Sequence, residues 1–212
     1  MIISLDYDGT LVDSYTVIPL IYEKIREELN LYEGFTEAML AVEDLGDYFG
    51  IFERGKWIRL FLIEDNPDEI IEYYWKIRTE NQIILPETIE FLEKYKNRDL
   101  YLVTSKDDTK DIKIKRIKKT DLDKYFKDIL IYGTEEFKTI IDVFEYLIDI
   151  DKDIIYIDDK NTNLYQIKNK LNIKLFKRIY YPPYPLKLAW YYPETNVPKI
   201  INIFEIEKYI RL

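Results

Sequence analysis

Short apolar runs alternate with longer segments of helical periodicity, and this pattern constrains the fold more than any other feature. The runs at residues 2–7, 100–103, 129–132 and 154–157 each end in polar or glycine residues. Continuous apolar strands separated by helices are typical of a parallel sheet that is covered on both faces. We therefore predict an α/β core with a Rossmann-like, doubly wound parallel sheet.

A second feature is the long gap between the first and second predicted strands. Residues 15–83 show helical periodicity and contain no convincing strand. We expect an all-helical cap in this insertion, and an α/β core formed by residues 1–14 and 84–212. Helices are predicted at 108–119 and at 137–148 within the core.

The C-terminal part of the chain gives weaker signals. It predicts a strand at 175–180, an extended piece at 200–203 and a final helix from Glu205. The intervening residues 180–192 are rich in aromatic side chains and contain three prolines. We interpret them as a rigid surface loop that covers the edge of the sheet, rather than as a ligand site.

Composition narrows the chemistry, because the chain contains no His and no Cys. Thiolate zinc sites, disulfides, cysteine nucleophiles and mechanisms that need an imidazole base are therefore excluded. Any catalysis must depend on carboxylates, lysines, hydroxyl groups and a hard metal ion.

The net charge of −9 disfavours nucleic acid and anionic membranes as the main partner. The longest stretch without charged residues covers only residues 14–22, whereas a membrane-spanning helix needs about 20 apolar residues. The N-terminus has no secretory pattern. We expect a soluble, cytoplasmic protein; its oligomeric state is not predicted.

Polar side chains follow the predicted strands at the edge where a parallel sheet binds ligands. They are Asp6, Asp8, Thr104, Ser105, Asp158 and Asp159. Carboxylates packed together repel one another and shift each other's pKa. A divalent cation would relieve this repulsion, and oxygen ligands without His or Cys favour Mg²⁺.

The motifs that carry these residues resemble those of the haloacid dehalogenase (HAD) superfamily of phosphotransferases. Residues 6–14, Asp-Tyr-Asp-Gly-Thr-Leu-Val-Asp-Ser, resemble its first signature. Residues 102–105, Lys138 at a helix start and residues 155–163 are similar to the later signatures, in the family's order. A helical insertion after the first strand is similar to the family's type 1 cap.

The two aspartates of the first motif have roles that chemistry and the resemblance assign alike. Asp6, at the rigid end of a strand, suits a nucleophile that forms an acyl phosphate. Asp8 could protonate the leaving oxygen and then deprotonate the attacking water. The alternative is that both only stabilise the turn that contains Gly9.

The remaining catalytic candidates would surround the transferred phosphoryl group. They are the Thr104 hydroxyl, the Ser105 backbone N–H and the Lys138 ammonium, which would also hold Asp6. The alternative for Lys138 is an exposed helix lysine, and Lys106 and Lys160 compete for its role.

The resemblance implies a metal site formed by Asp6, the backbone carbonyl of Asp8, Asp158 and Asp159. Many family members carry a further Asp where this chain has Asn163. The alternative for Asp158 and Asp159 is that they only cap the next helix.

The insertion is expected to select the substrate by closing over it. A basic and aromatic cluster contains Arg54, Lys56, Trp57 and Arg59. Lys56 and Arg59 are candidate substrate-binding residues, although a solvated helix face with Trp57 packed inside is the simpler interpretation.

Together these observations predict a Mg²⁺-dependent phosphatase that acts on a small phosphorylated metabolite through an aspartyl phosphate. A phosphomutase of the same superfamily is the nearest alternative, since the motifs barely distinguish the two. A non-catalytic, phospholigand-binding module is less favoured, because the nucleophile, the acid/base residue and the lysine are all present.

Overall fold

A computed structural model describes residues 1–61 and 67–210 of the chain. The strands are β1 (Ile2–Leu5), β2 (Val12–Asp13), β3 (Ile83–Ile84), β4 (Asp99–Ser105), β5 (Asp128–Tyr132), β6 (Ile154–Asp158), β7 (Lys174–Arg178) and β8 (Lys199–Ile200). The helices are α1 (Ile18–Glu28), α2 (Phe35–Phe49), α3 (Arg54–Phe61), α4 (Pro67–Glu80), α5 (Thr88–Tyr95), α6 (Lys110–Lys119), α7 (Ile140–Ile150), α8 (Asn161–Lys168) and α9 (Leu188–Tyr191). Short 3₁₀ helices cover Asp123–Tyr125 and Ile203–Tyr209.

Six strands form one sheet in the order β5-β4-β1-β6-β7-β8, and every neighbouring pair is parallel. The strand order reverses at β1, which lies between β4 and β6. This confirms the predicted Rossmann-like parallel sheet. It also puts the carboxyl end of β1 at the switch point, where open α/β sheets bind ligands.

Alternating side chains of the strands pack on opposite faces of the sheet, because successive Cβ atoms of a strand point to opposite sides. Ile3 and Leu5 belong to the hydrophobic cluster on one face, together with Phe91 of α5. Ile2 belongs to the cluster on the other face, together with Phe144 of α7. Burial of both faces explains why these strands are almost entirely apolar.

The helices α1 to α4 lie between β2 and β3, within the predicted insertion. The two short strands pair antiparallel, Val12 with Ile84, at the ends of this segment, and the sequence did not predict them. The division into a cap at 15–83 and a core at 1–14 and 84–212 stays a prediction. No helix among the described residues is long and apolar enough to span a membrane.

Two predicted helices differ from the structure. Helix α7 begins at Ile140 because the Thr139 hydroxyl accepts the Asp142 backbone N–H, and the Asp142 carboxylate accepts the Thr139 N–H. Lys138 therefore precedes the helix instead of lying in its first turn. The final helix predicted from Glu205 is a 3₁₀ helix, which begins at the capping residue Asn202.

Residues 180–192 are only in part the surface loop that the sequence predicts, since Tyr181 and Tyr192 are exposed whereas Tyr184 and Trp190 are buried. This aromatic segment packs on the hydrophobic cluster of the insertion, with Tyr184 2% and Trp190 1% exposed. The buried carboxylate of Asp44, on α2, accepts the backbone N–H groups of residues 186, 187 and 188 at 2.7–2.8 Å. Three charge-assisted hydrogen bonds thus hold the segment against the insertion.

We expect Asp44→Ala to loosen the aromatic segment, because three backbone N–H groups would lose their acceptor. The cost is about 1–3 kcal/mol for each buried donor left unsatisfied. Hydrogen exchange should then become faster at residues 186–191, while the parallel sheet keeps its protection. Glu37→Ala, at an exposed position of the same helix, is the control. Unchanged protection in Asp44→Ala would contradict this function of Asp44.

Candidate active site

The candidate site is an enclosed pocket at the carboxyl ends of β1, β4 and β6. It brings together Asp6, Asp8, Thr104 and Ser105, four of the residues predicted from the sequence. From the insertion, Tyr15, Asp47, Arg54 and Arg78 complete its wall. The free space is only about 10 Å³, the room of about one water molecule.

Three buried carboxylates meet beside this pocket. One oxygen from each of Asp6, Asp158 and Asp159 lies within 4.8 Å of the others. Asp158 is held by three donors: the Tyr156 hydroxyl at 2.6 Å, the Lys160 backbone N–H at 2.6 Å and the Asn163 amide at 2.8 Å. Asn163, where the family often has an aspartate, therefore positions Asp158.

Asp159 is held differently, and one of its oxygens is left free. The indole N–H of Trp190 donates to Oδ2, whereas Oδ1 is buried and has no hydrogen-bond partner among the described residues. Gly9 makes room for this carboxylate, since a Cβ at that position would lie 2.1 Å from Oδ2. Gly9 also has a φ of +77°, which disfavours any other residue there.

The electrostatics of this cluster favour a bound cation. Burial, followed by the charges of Asp158 and Asp159, raises the pKa of Asp6 well above its usual value. Burial and the charge of Asp158 raise the pKa of Asp159 in the same way. A hard divalent cation would offset both effects, and the free Asp159 oxygen supplies a ligand of the right chemistry. The residues present therefore fit a metal site.

Asp8 lies in a different environment, although it is only two residues from Asp6. The Lys113 ammonium and the Arg116 guanidinium both pair with its carboxylate, and the Ser14 hydroxyl donates to it. Burial alone would raise the pKa of Asp8, but Arg116 and Lys113 hold it well below the usual value. The lowered pKa favours the carboxylate form of Asp8, which the predicted base role needs. The predicted acid role needs the protonated form, which the two ion pairs oppose.

Asp107 shares the same two cations, at 3.0 Å from Lys113 and 3.1 Å from Arg116. Sequence reasoning missed Asp107, Lys113 and Arg116 and predicted only a helix at 108–119. A signal was present: Lys113 and Arg116 occur at the helical spacing of three that places them on the face of buried Ile117. Cations on the buried face of a helix need carboxylate partners.

Lys138 does not reach the pocket in this structure, contrary to the prediction. It is exposed and borders two neighbouring cavities that do not contain Asp6. Of the two competitors, Lys106 pairs with Glu53 at 2.9 Å. Lys160 lines the pocket and pairs with Asp47 at 2.8 Å. The cations that the structure places beside Asp8 are Lys113 and Arg116.

The basic cluster of the insertion is divided by burial. Lys56 and Arg59, predicted to bind substrate, are exposed and pair with Glu53 and Asp68, outside the pocket. Arg54 is buried and pairs with Glu43 at 2.9 Å and with Asp47 at 3.2 Å. Helix α3 turns Arg54 and Trp57 inward, so the predicted substrate-binding residues Lys56 and Arg59 lie outside the pocket in this structure.

The fold of the chain is shared with solved structures. YfnB of Bacillus subtilis, a HAD-hydrolase described as bound to magnesium, matches with a TM-score of 0.70 at 15% identity, over 100% of this chain and 98% of that chain. The chain has the haloacid dehalogenase fold. A HAD phosphatase of Thermococcus onnurineus matches with a TM-score of 0.66 at 16% identity, over 98% of this chain and 96% of that chain.

A kinase shares the HAD fold as well. Protein Tyrosine Kinase A of Mycobacterium tuberculosis matches with a TM-score of 0.60 at 10% identity, over 98% of this chain and 96% of that chain. No protein-family model and no curated protein sequence matches the chain. The HAD fold is therefore established by structure, whereas the reaction must be argued from the site itself.

We expect Trp190→Phe to weaken binding of Mg²⁺ by about tenfold, because groups that orient a metal ligand typically contribute that much to affinity. Titration calorimetry on the purified protein measures this without reference to activity. Trp57→Phe is the matched control, since Trp57 is also buried but its indole N–H has no hydrogen-bond partner among the described residues. Equal affinities in Trp190→Phe and the wild type would show that Trp190 does not position Asp159.

Proposed function

We propose that this protein is a Mg²⁺-dependent phosphatase that hydrolyses a small phosphomonoester through an aspartyl phosphate at Asp6. The observation that carries the proposal is that two carboxylates in different environments, Asp6 and Asp8, line the same pocket. Asp6 belongs to the three-carboxylate cluster, which raises its pKa, whereas Arg116 and Lys113 lower the pKa of Asp8. Different environments for two nearby carboxylates allow different roles in one reaction.

Asp6, Asp158 and Asp159 would hold the metal with their carboxylates, and the resemblance adds the backbone carbonyl of Asp8. The free Oδ1 of Asp159 and the repulsion among the buried carboxylates support this assignment. When bound, Mg²⁺ would neutralise charge on the phosphoryl oxygens and on the ligand carboxylates.

In the first half of the reaction, a carboxylate oxygen of Asp6 attacks the phosphorus. A new oxygen–phosphorus bond forms to Asp6, and the bond from phosphorus to the leaving oxygen breaks. The leaving oxygen takes a proton from Asp8 in its protonated form. The Thr104 hydroxyl and the Ser105 backbone N–H, both at the end of β4 and lining the pocket, would stabilise the phosphoryl oxygens.

In the second half, water attacks the phosphorus of the aspartyl phosphate while Asp8 accepts its proton. The bond between Asp6 and phosphorus breaks, inorganic phosphate is released, and Asp8 is left protonated for the next substrate. The ion pairs of Asp8 oppose that protonated state. A phosphoryl group in the pocket competes for the Lys113 ammonium, and this competition would free Asp8 to carry the proton.

The proposal favours a small substrate. The pocket is closed over by side chains of the insertion, and its free space is about 10 Å³. A macromolecular phosphate would need the insertion to stay far from the sheet, whereas a small metabolite can be enclosed after it enters.

We expect Asp6→Asn to lower kcat for hydrolysis of p-nitrophenyl phosphate by about a thousandfold or more, because the amide cannot form the acyl phosphate. The variant should fold, since it removes a buried charge whose ionised form is disfavoured. Asp149→Asn, at an exposed position of α7, should keep full activity. Chelation of Mg²⁺ should abolish wild-type turnover. Substantial activity in Asp6→Asn or in excess chelator would contradict the mechanism.

Another prediction tests whether Lys113 or Lys138 is the cation that acts on the phosphoryl group. Lys113→Met should lower kcat/KM for the same substrate by about a hundredfold, because a desolvated cation beside the phosphoryl group is lost. Lys138→Met should change it by less than about threefold, since an exposed charge outside the pocket is screened by water. Thermal melting of both variants controls for folding. A larger loss of activity in Lys138→Met than in Lys113→Met would contradict this prediction and support the role that the sequence assigned to Lys138.

A further inference from the structure

The cations around the pocket differ in whether they have a carboxylate partner. Lys113 and Arg116 pair with Asp8 and Asp107, and Arg54 and Lys160 share Asp47. Arg78, on α4, also lines the pocket. Within the described part of the chain, it has no carboxylate oxygen at ion-pair distance. Its charge therefore lacks a direct counter-charge.

Arg78 is nevertheless one of the most deeply buried side chains, at 2% exposed. The guanidinium lies over the rings of Tyr15 and Trp75, at 5.5 and 5.4 Å from their centroids. Its Nη1 donates to the Tyr74 hydroxyl at 3.2 Å, and its Nη2 makes only a long contact of 3.4 Å to the Ser14 hydroxyl oxygen. Burying an unpaired charge is unfavourable, so folding alone does not account for this residue.

The donor pattern of Arg78 suits a planar anion. Nε has no hydrogen-bond partner among the described residues, and the neighbouring Nη2 is weakly satisfied. Nε and Nη2 form one side of the guanidinium fork, which can bind the two oxygens of a carboxylate through parallel hydrogen bonds. The single positive charge matches the single charge of a carboxylate.

The position of Arg78 shows which part of a substrate it would contact. The Ser14 hydroxyl that Arg78 contacts donates in turn to Asp8. Asp8 is the residue that would exchange a proton with the leaving oxygen, whereas Thr104 and Ser105 lie across the pocket on β4. Arg78 is therefore on the leaving-group side of the phosphoryl position.

We propose that Arg78 binds a carboxylate on the leaving group of the substrate. The substrate class is then a small phosphomonoester whose carboxylate is within one or two carbon atoms of the ester oxygen, because a single hydroxyl, that of Ser14, lies between Arg78 and Asp8. This assignment rests on the proposed phosphatase function and adds the substrate class to it.

The test compares two phosphomonoesters of similar size, phosphoglycolate and 2-hydroxyethyl phosphate, which differ in a carboxylate against a neutral hydroxyl. The wild type should favour phosphoglycolate by about tenfold or more in kcat/KM. Arg78→Met should reduce that preference to less than about threefold, mainly through KM. Arg78→Lys should keep part of the preference, because it keeps the charge but not the fork.

The variants are designed so that misfolding is recognised. Arg78→Met should keep or raise the melting temperature, because it removes a buried charge without breaking an ion pair. Arg54→Met should lower it, because Glu43 and Asp47 would lose their partner. Lys76→Met, exposed on the same helix as Arg78, should keep the wild-type preference.

Calorimetry separates this assignment from the phosphatase proposal. Asp6→Asn protein with Mg²⁺ should bind phosphoglycolate more tightly than 2-hydroxyethyl phosphate, and the additional Arg78→Met change should remove the difference. If no phosphomonoester is hydrolysed, the phosphatase proposal fails, and this binding difference still decides the role of Arg78. A preference that survives in Arg78→Met, or equal binding of both ligands when Arg78 is present, would overturn the assignment.

Discussion

Mutual repulsion among Asp6, Asp158 and Asp159 is the constraint on which the rest of the site depends. Three buried carboxylates within 4.8 Å of one another are tolerated only with donors or a cation around them. Tyr156 and Asn163 supply donors to Asp158, and Trp190 supplies one to Asp159. A side chain at position 9 would collide with Asp159, and Gly9 has none. Four residues from distant parts of the chain thus serve one electrostatic requirement.

The second organising feature is the set of buried contacts that join the insertion to the sheet. Lys160, just after β6, pairs with Asp47 of α2, and the aromatic segment is held on the same helix by Asp44. The pocket enclosed by these contacts is too small for a phosphoryl group. Substrate entry must therefore separate Asp47 from Lys160, or move the side chains around them.

Much of the sheet and part of the site could be predicted from the sequence, because both depend on local patterns. The strands are apolar runs, and their carboxyl ends are adjacent in any parallel sheet, so Asp6 and Thr104 could be placed before the structure was known. Lys138 could not be placed reliably, because the capping pair of Thr139 and Asp142 delays the helix start by a few residues. A shift of a few residues in the helix start therefore changes whether the Lys138 side chain reaches the site.

Long-range pairing explains the other failures. Lys113 and Arg116 are distant in sequence from Asp8, and only the packing of α6 brings them together. The aromatic segment contains prolines typical of exposed loops, yet its Tyr184 and Trp190 are buried. Nothing near Trp190 in the sequence indicates that its indole binds Asp159, because that contact depends on how α9 docks between α2 and α8.

Covalent capture of the intermediate tests the nucleophilic role of Asp6 most directly. Enzyme with Mg²⁺ is mixed with p-nitrophenyl phosphate, quenched during turnover and reduced with borohydride, which converts an aspartyl phosphate to homoserine. Peptide mass spectrometry then identifies the reduced residue. Nucleophilic attack by Asp6 predicts homoserine at position 6 in the wild type, and none in a sample without Mg²⁺. Homoserine at another aspartate, or turnover with an unmodified Asp6, would contradict it.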